Sequence, residues 1–222
     1  MAERQRMAEL ADHSGADAGG QPLRMSWEIF PKEISFDKDE DDYRIELGSG
    51  AFARVFQGSF RNVKVAIKRV NVKTDKIRDL ARTEIAIMAK LHHPNIVVLH
   101  GASLDVKYCN IVLERLRCTL TKALYVHSEG IVLDTASKLR IASEISQGLA
   151  YLHASMVIHH DLKPDNVLLT EDLTSKISDF GLSKTRETSV GGSVYVGPGG
   201  SLAYTAPELL DVAGRGNSAV DV

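Results

Sequence analysis

A chain of 222 residues with 44% hydrophobic and 25% charged residues has the composition of a soluble globular protein, longer than one ordinary domain but short of two large ones. Its net charge of −2 gives no general attraction to nucleic acid or an anionic membrane, and no run approaches the ~20 apolar residues of a membrane span. Cys109 and Cys118 are too few for a disulfide framework, lack metal-ligand spacing and are read as reduced thiols.

The amino terminus has no hydrophobic secretory segment, so a cytoplasmic or nuclear protein is expected. Residues 1–26, rich in Gly, Ala and Asp up to Gly20, read as a disordered tail, with order expected from about Trp27. The acidic run from Asp37 to Asp42 reads as a solvated turn. A β-rich block follows: Tyr43 to Leu47 alternates, Gly48-Ser49-Gly50 interrupts, and Arg54 to Gly58 resumes the extended pattern. From Asn62 to Val70, Val63, Val65 and Ile67 alternate with Lys64, Ala66 and Lys68, which predicts a strand with one buried face. Ile77, Leu80, Ala81, Ile85, Met88 and Leu91 then follow helical spacing over 76–91, until His93-Pro94-Asn95 stops it. Two more strands are predicted at Ile96–Leu99 and Cys109–Leu113. Beyond them a helix from about Thr135 to Ala154 carries the stripe Leu139, Ala142, Ile145, Leu149 and Leu152. Ser175–Ser178 reads as a short strand. Residues 183–201, with five glycines and many hydroxyls, read as a long functional loop.

Several polar groups sit where this pattern gives no structural reason for them. Gly48-Ser49-Gly50-Ala51-Phe52-Ala53-Arg54-Val55 lets the backbone approach a phosphate closely, although read alone it is equally a surface turn. No Gly-Lys-Ser/Thr follows, which excludes a P-loop, and a strand rather than a helix follows, which excludes a dinucleotide fold. A hairpin folded over a nucleotide is the remaining ligand-binding reading. Lys68 on its strand and Glu84 mid-helix are individually ordinary; together they suit an ammonium beneath a phosphate loop, held by a carboxylate. Between the apolar runs at 157–158 and 167–169 lies His159-His160-Asp161-Leu162-Lys163-Pro164-Asp165-Asn166, followed by Asp179-Phe180-Gly181. One carboxylate there can orient a hydroxyl nucleophile; the other, with an Asn oxygen, suits Mg²⁺ bound together with nucleotide phosphates. Apolar flanks would keep these groups preorganised.

Taken in order with Ala206-Pro207-Glu208, these motifs resemble the catalytic domain of eukaryotic protein kinases over residues 27–222. The resemblance implies an α+β bilobal fold: a β-rich N-lobe with one helix over about 27–113, a hinge at 114–117, and a mostly helical, C-terminally incomplete C-lobe over 118–222. It implies ATP contacts from Leu47, Gly48, Ser49, Gly50, Ala51, Phe52 and Val55. Lys68 would hold the α/β-phosphates, paired with Glu84. Leu113 would be the gatekeeper before hinge residues Glu114 to Leu116, with Val55, Ala66 and Leu168 sandwiching the purine. Asp161 would be the catalytic base, with Lys163 neutralising the transferred phosphoryl; Asn166 and Asp179 would ligate Mg²⁺. Lys163-Pro164-Asp165-Asn166 and Gly200-Ser201-Leu202-Ala203-Tyr204-Thr205 resemble the serine/threonine type. Trp27-Glu28-Ile29, His92-His93-Pro94-Asn95-Ile96-Val97 and His100-Gly101-Ala102 resemble the tyrosine-kinase-like group. The implied partners are ATP and proteins with Ser or Thr, and Thr185, Thr188, Ser189, Ser193, Tyr195 and Ser201 are candidate phosphorylation sites.

Three departures qualify the match. Ala53 replaces the third glycine, at little expected cost. His160 stands where most members carry Arg, so loop phosphorylation is expected to organise the site less strongly. The family's next long helix should begin near Ser218–Asp221, so the chain is expected to be a fragment, with Glu208 lacking an arginine partner and one face of the 135–154 helix open to regulatory partners. A nucleotide- and partner-binding module without turnover is the alternative reading.

Overall fold

A computed structural model describes residues 25–50, 53–126, 130–181, 184–185, 202–207 and 218–221. Its first part is a six-stranded antiparallel sheet: β1 (Ile34–Phe36), β2 (Glu46–Ser49), β3 (Ala53–Phe60), β4 (Val63–Asn71), β5 (Leu99–Leu104) and β6 (Tyr108–Glu114). The strand order is β1-β3-β4-β6-β5, with β2 also on β3. β1 pairs with residues 58–60 of β3, and β2 with residues 54–56. Along β4 the alternation behaves as expected. Val65 and Ile67 are fully buried against Ile29, Phe60 and Val112, while Ala66 and Lys68 face the other way. Val63 is the exception, exposed at the strand's start.

The helix inserted after β4, α1 (Asp75–Met88), starts where the Thr74 hydroxyl accepts from the Ile77 amide. It buries Ala81, Glu84, Ile85, Ile87 and Met88. It ends before Leu91, which is still buried but reached by turns, and Leu80 points to solvent rather than into the predicted stripe. The strand expected at Ile96–Leu99 instead runs from Leu99 to Leu104, because Ile96 and Val97 turn away to join the second part. Ile96 bridges Ile177, and the Val97 amide donates to the Ile177 carbonyl. The Tyr43–Leu47 alternation yields no buried face: β2 begins only at Glu46, is exposed throughout, and slips register at Leu47 as an edge strand paired to β3 alone. The acidic run is a solvated turn in which Asp39 Oδ1 accepts from the Asp41 and Tyr43 amides.

In the second part, β7 (Cys118–Thr119) and α2 (Leu120–Tyr125) lead to α3 (Thr135–Ala154), which has the predicted bounds and an Asp134 cap on the Ser137 amide. Its buried stripe is rotated from the predicted one. Ile141, Gly148 and Leu152 are buried, Ile145 and Leu149 partly so, and Leu139 and Ala142 are exposed. Gly148 sets this rotation, since a Cβ there would lie 3.0 Å from both the Asn95 carbonyl oxygen and Ile177 Cδ1. Beyond α3, β8 (Val157–Ile158) pairs with β11 (Lys184–Thr185), and β9 (Val167–Leu169) lies between β7 and β10 (Ser175–Ile177). Lys184 and Thr185 are therefore strand rather than loop. The rest of the predicted 183–201 loop lies outside the described residues, as do residues 1–24 of the predicted 1–26 tail and the loop hydroxyls beyond Thr185.

One apolar cluster joins the two parts: Ile87, Met88, Leu91, Ile96 and Val97 pack with Leu152, Val157, Ile177 and Phe180. No helix among the described residues is long and apolar enough to cross a membrane. Both cysteines are buried and free of disulfides, and burial pushes the Cys109 thiol up to about 12. A thiol-specific dye at pH 8 should therefore leave Cys109 unlabelled in the native protein and label it after denaturation. Gly58 has no room for a side chain, because a Cβ would run into the Ser35 carbonyl oxygen and Ile67 Cδ1. Gly58→Ala should lower stability by about 1–3 kcal/mol in urea titrations, whereas Gly48→Ala, whose Cβ meets nothing within 4 Å, should not.

Candidate active site

The sheet, α1 and the segment after β10 converge on one ammonium. Lys68 Nζ donates to Glu84 Oε1 at 2.6 Å and to Asp179 Oδ1 at 2.8 Å. Lys68 and Glu84 are nearly buried, whereas the Asp179 side chain is half-exposed. Burial alone would neutralise the Lys68 amine, but the two carboxylates outweigh it and raise its pKa. For Asp179, burial opposes ionisation, yet the Lys68 charge and hydrogen bond hold its carboxyl below the usual range. Burial pushes Glu84 up, opposed by Lys68 and reinforced by Asp179. Gly181 keeps the space clear: a Cβ there would sit 3.3 Å from Asp179 Oδ1 and 3.8 Å from Lys68 Nζ.

A second polar cluster lies in the turn between β8 and β9. Lys163 Nζ donates to Asp161 Oδ1 at 3.0 Å and Oδ2 at 2.7 Å. Asn166 Nδ2 donates to the Asp161 carbonyl at 2.7 Å and to Asp161 Oδ2 at 2.9 Å. The Asn166 carbonyl accepts from the Ser178 amide and hydroxyl, at 2.8 and 3.0 Å, which ties this turn to the residue before Asp179. Val167 and Leu169 bury the turn's trailing end, Val157 and Ile158 its leading end. His159 is fully buried, with Nε2 2.9 Å from the Ser178 carbonyl and its ring edge-on to Phe180. His160 and Asp179 both take left-handed backbone conformations, at φ 66° and 63°. Strain of about 1–3 kcal/mol at each persists only where surrounding contacts enforce it.

Asp221 supplies those contacts for His160. Its buried carboxylate accepts from the His159 amide at 2.8 Å and the His160 amide at 2.7 Å, and Oδ2 lies 2.9 Å from His153 Nε2. Sequence reasoning missed this role, because a carboxylate some sixty positions downstream leaves no local pattern in the turn it holds.

The antiparallel register places Val55 opposite Lys68 and Ala66 opposite Leu113, so all four share one face of the sheet. Glu114 is the last residue of β6. Its Oε1 accepts from Lys176 Nζ at 2.8 Å and the Val98 amide at 2.7 Å, so its side chain ties the two parts rather than facing a ligand. Leu116 packs on the shared core, and Leu168 lies between two buried neighbours on β9. Leu47, Gly48, Ser49 and Gly50 lie on and just after exposed β2, with the Gly50 amide donating to the Ala53 carbonyl at 2.8 Å. Ala51, Phe52, Ser201 and Glu208 fall outside the described residues. A concavity of about 340 Å³ lined by Lys32, Glu33, Ser35, Ser59, Arg61 and Asn62 lies at the β3–β4 turn, away from both clusters.

Residues 43–222 match the family described as "Protein kinase domain", and the chain belongs to that family. It is 33% identical over 233 residues to the serine/threonine-protein kinase VIK of Arabidopsis thaliana, covering 94% of this chain and 51% of that protein. It is 31% identical over 195 residues to the Raf homolog serine/threonine-protein kinase of Caenorhabditis elegans, covering 86% of this chain and 23% of that one. It is also 34% identical over 190 residues to the dual specificity protein kinase shkB of Dictyostelium discoideum, covering 83% and 28%. The chain thus spans about half or less of these relatives' lengths.

Removing the Asp221 carboxylate strands two backbone donors. Asp221→Ala should cost about 2–5 kcal/mol in urea unfolding, and Asp221→Asn, which keeps an acceptor, should cost less. Because the native Asp179 pKa is depressed, its pairing with Lys68 contributes stability that is full above the unfolded value of about 3.9 and lost as pH falls below it. Asp179→Asn should therefore make the acid limb of a stability–pH profile shallower.

Proposed function

We propose that this chain is a serine/threonine protein kinase that transfers the ATP γ-phosphoryl group to protein hydroxyls, with Asp161 as catalytic base. One observation carries the reading above the others: a nearly buried ammonium held by carboxylates from α1 and from the segment after β10, beside the face of Val55, Ala66 and Leu113. A structural ion pair would need only one carboxylate. The second, half-exposed carboxylate suits a site that meets a charged ligand.

The residues fit the expected ligands. Lys68, fixed at the end of its flexible stem, is placed to hold triphosphate oxygens. Gly48 and Gly50 carry no crowding that would explain the absence of a side chain, so their open backbone suits close approach of phosphates. Asn166 turns its amide nitrogen to Asp161, so its oxygen is the end left for a cation. With one Asp179 oxygen this forms an oxygen-only donor set of the kind Mg²⁺ prefers. When bound, Mg²⁺ supplies positive charge that screens the phosphates. Asp161, oriented by Lys163 and Asn166, would accept the substrate hydroxyl's proton. Lys163 would balance negative charge on the transferred group. Glu114 to Leu116 would offer the backbone that reads adenine, with Val55, Ala66 and Leu168 against the ring.

Radiolabelled phosphate transfer to a generic protein substrate, followed by phosphoamino-acid analysis, tests this. Phosphoserine and phosphothreonine are expected, with a loss of about 10²–10⁴-fold in Asp161→Asn while nucleotide still raises the melting temperature. Transfer unaffected by Asp161→Asn would sink the assignment.

A further inference from the structure

The sheet's other face carries a second concentration of charge. Antiparallel register sets Arg54 directly opposite Arg69, on the side turned away from Lys68. The Arg44 guanidinium carbon lies 4.1 Å from the Phe36 ring centroid and 6.0 Å from Phe56. That of Arg69 lies 5.5 Å from Phe36 and 3.7 Å from Tyr108, and that of Arg54 lies 5.1 Å from Phe56. Lys107 Nζ stands 5.4 Å from Tyr108. Each phenylalanine ring is thus shared by two guanidiniums.

Like charges directly opposite one another destabilise a sheet. Cation–π contacts with Phe36, Phe56 and Tyr108 offset the repulsion, and a hydrogen bond to the Tyr108 hydroxyl takes up only part of the Arg69 donor set. Glu46 neutralises Arg54. The neighbouring ion pairs, Lys38–Asp42 and Arg61–Glu33, leave out Arg44 and Arg69, neither of which has a carboxylate within 4.0 Å among the described residues. Part-burial and the Arg44 charge lower the Arg69 pKa, with Tyr108 and Asp105 opposing.

We propose that this outer face docks a phosphorylated protein segment, with Arg44 and Arg69 gripping the phosphoryl group. A phosphoryl group brings about two negative charges and three acceptor oxygens, which suit two guanidinium forks. An extended polyanion fits poorly: exposed Asp39, Glu40, Asp41 and Asp42 directly precede Tyr43 and Arg44, and the whole chain is negative. This site is separate from the Lys68 cluster and holds whether or not the chain transfers phosphate.

Fluorescence anisotropy with a labelled degenerate phosphoserine peptide library, and its unphosphorylated counterpart, tests the proposal. Only the phosphorylated library should bind, and inorganic phosphate should compete. Arg44→Gln and Arg69→Gln should each weaken binding about tenfold; Arg44→Lys, which keeps charge without the fork, should weaken it less. Lys68→Met should leave binding unchanged, which separates this face from the nucleotide site. Thermal melts check folding, and exposed Arg44 decides if Arg69→Gln is unfolded. Equal binding of both libraries, no binding, loss with Lys68→Met instead, or binding of phosphatidylserine vesicles without the phosphopeptides would each overturn the proposal.

Discussion

The Lys68 ammonium is the constraint around which the described structure is arranged. It is nearly withdrawn from water, so it must be met by carboxylates in good geometry or lose its charge. Glu84 reaches it only if α1 lies across the sheet with one particular face inward, and Asp179 only if a segment 111 positions away returns to the same spot. The steric demands at Gly181 follow from that convergence.

The second cluster is tied to the first by backbone rather than by charge. Ser178 bonds the Asn166 carbonyl, so the Asp161 turn and the Asp179 segment form one hydrogen-bonded unit. β10 fixes that unit in space. Glu144 accepts from the Ser175 amide and hydroxyl, Asn95 Nδ2 donates to the Ser175 carbonyl, and Gly148 admits Ile177 against α3. The apolar cluster joining both parts holds the frames on which these polar contacts form.

Much of this was legible in the sequence where the signal is local. Period-two alternation found β4 with its Lys68 face, and helical spacing found α3, whose bounds match the expected 135–154. The residues of the two polar clusters were legible as an ordered set of motifs. What failed depended on partners distant along the chain. The buried stripe of α3 is set by Gly148 against Asn95 and Ile177, which no property of the helix itself reveals. Ile96 and Val97 have strand-like side chains but are recruited by Ile177. Tyr43–Leu47 alternates with no second layer to cover it.

The carboxylate at 221 has a consequence for how the protein is made. The turn bearing His159 and His160 takes its backbone shape from an acceptor 61 to 68 positions later than the groups it binds. Contacts so far apart in sequence require closing a long loop before they contribute anything. On the ribosome, the sheet and α1 can assemble while that acceptor is still unsynthesised. That turn would be among the last pieces to lock, so a newly made chain would complete the Lys68 face of its sheet before fixing the turn that bears Asp161.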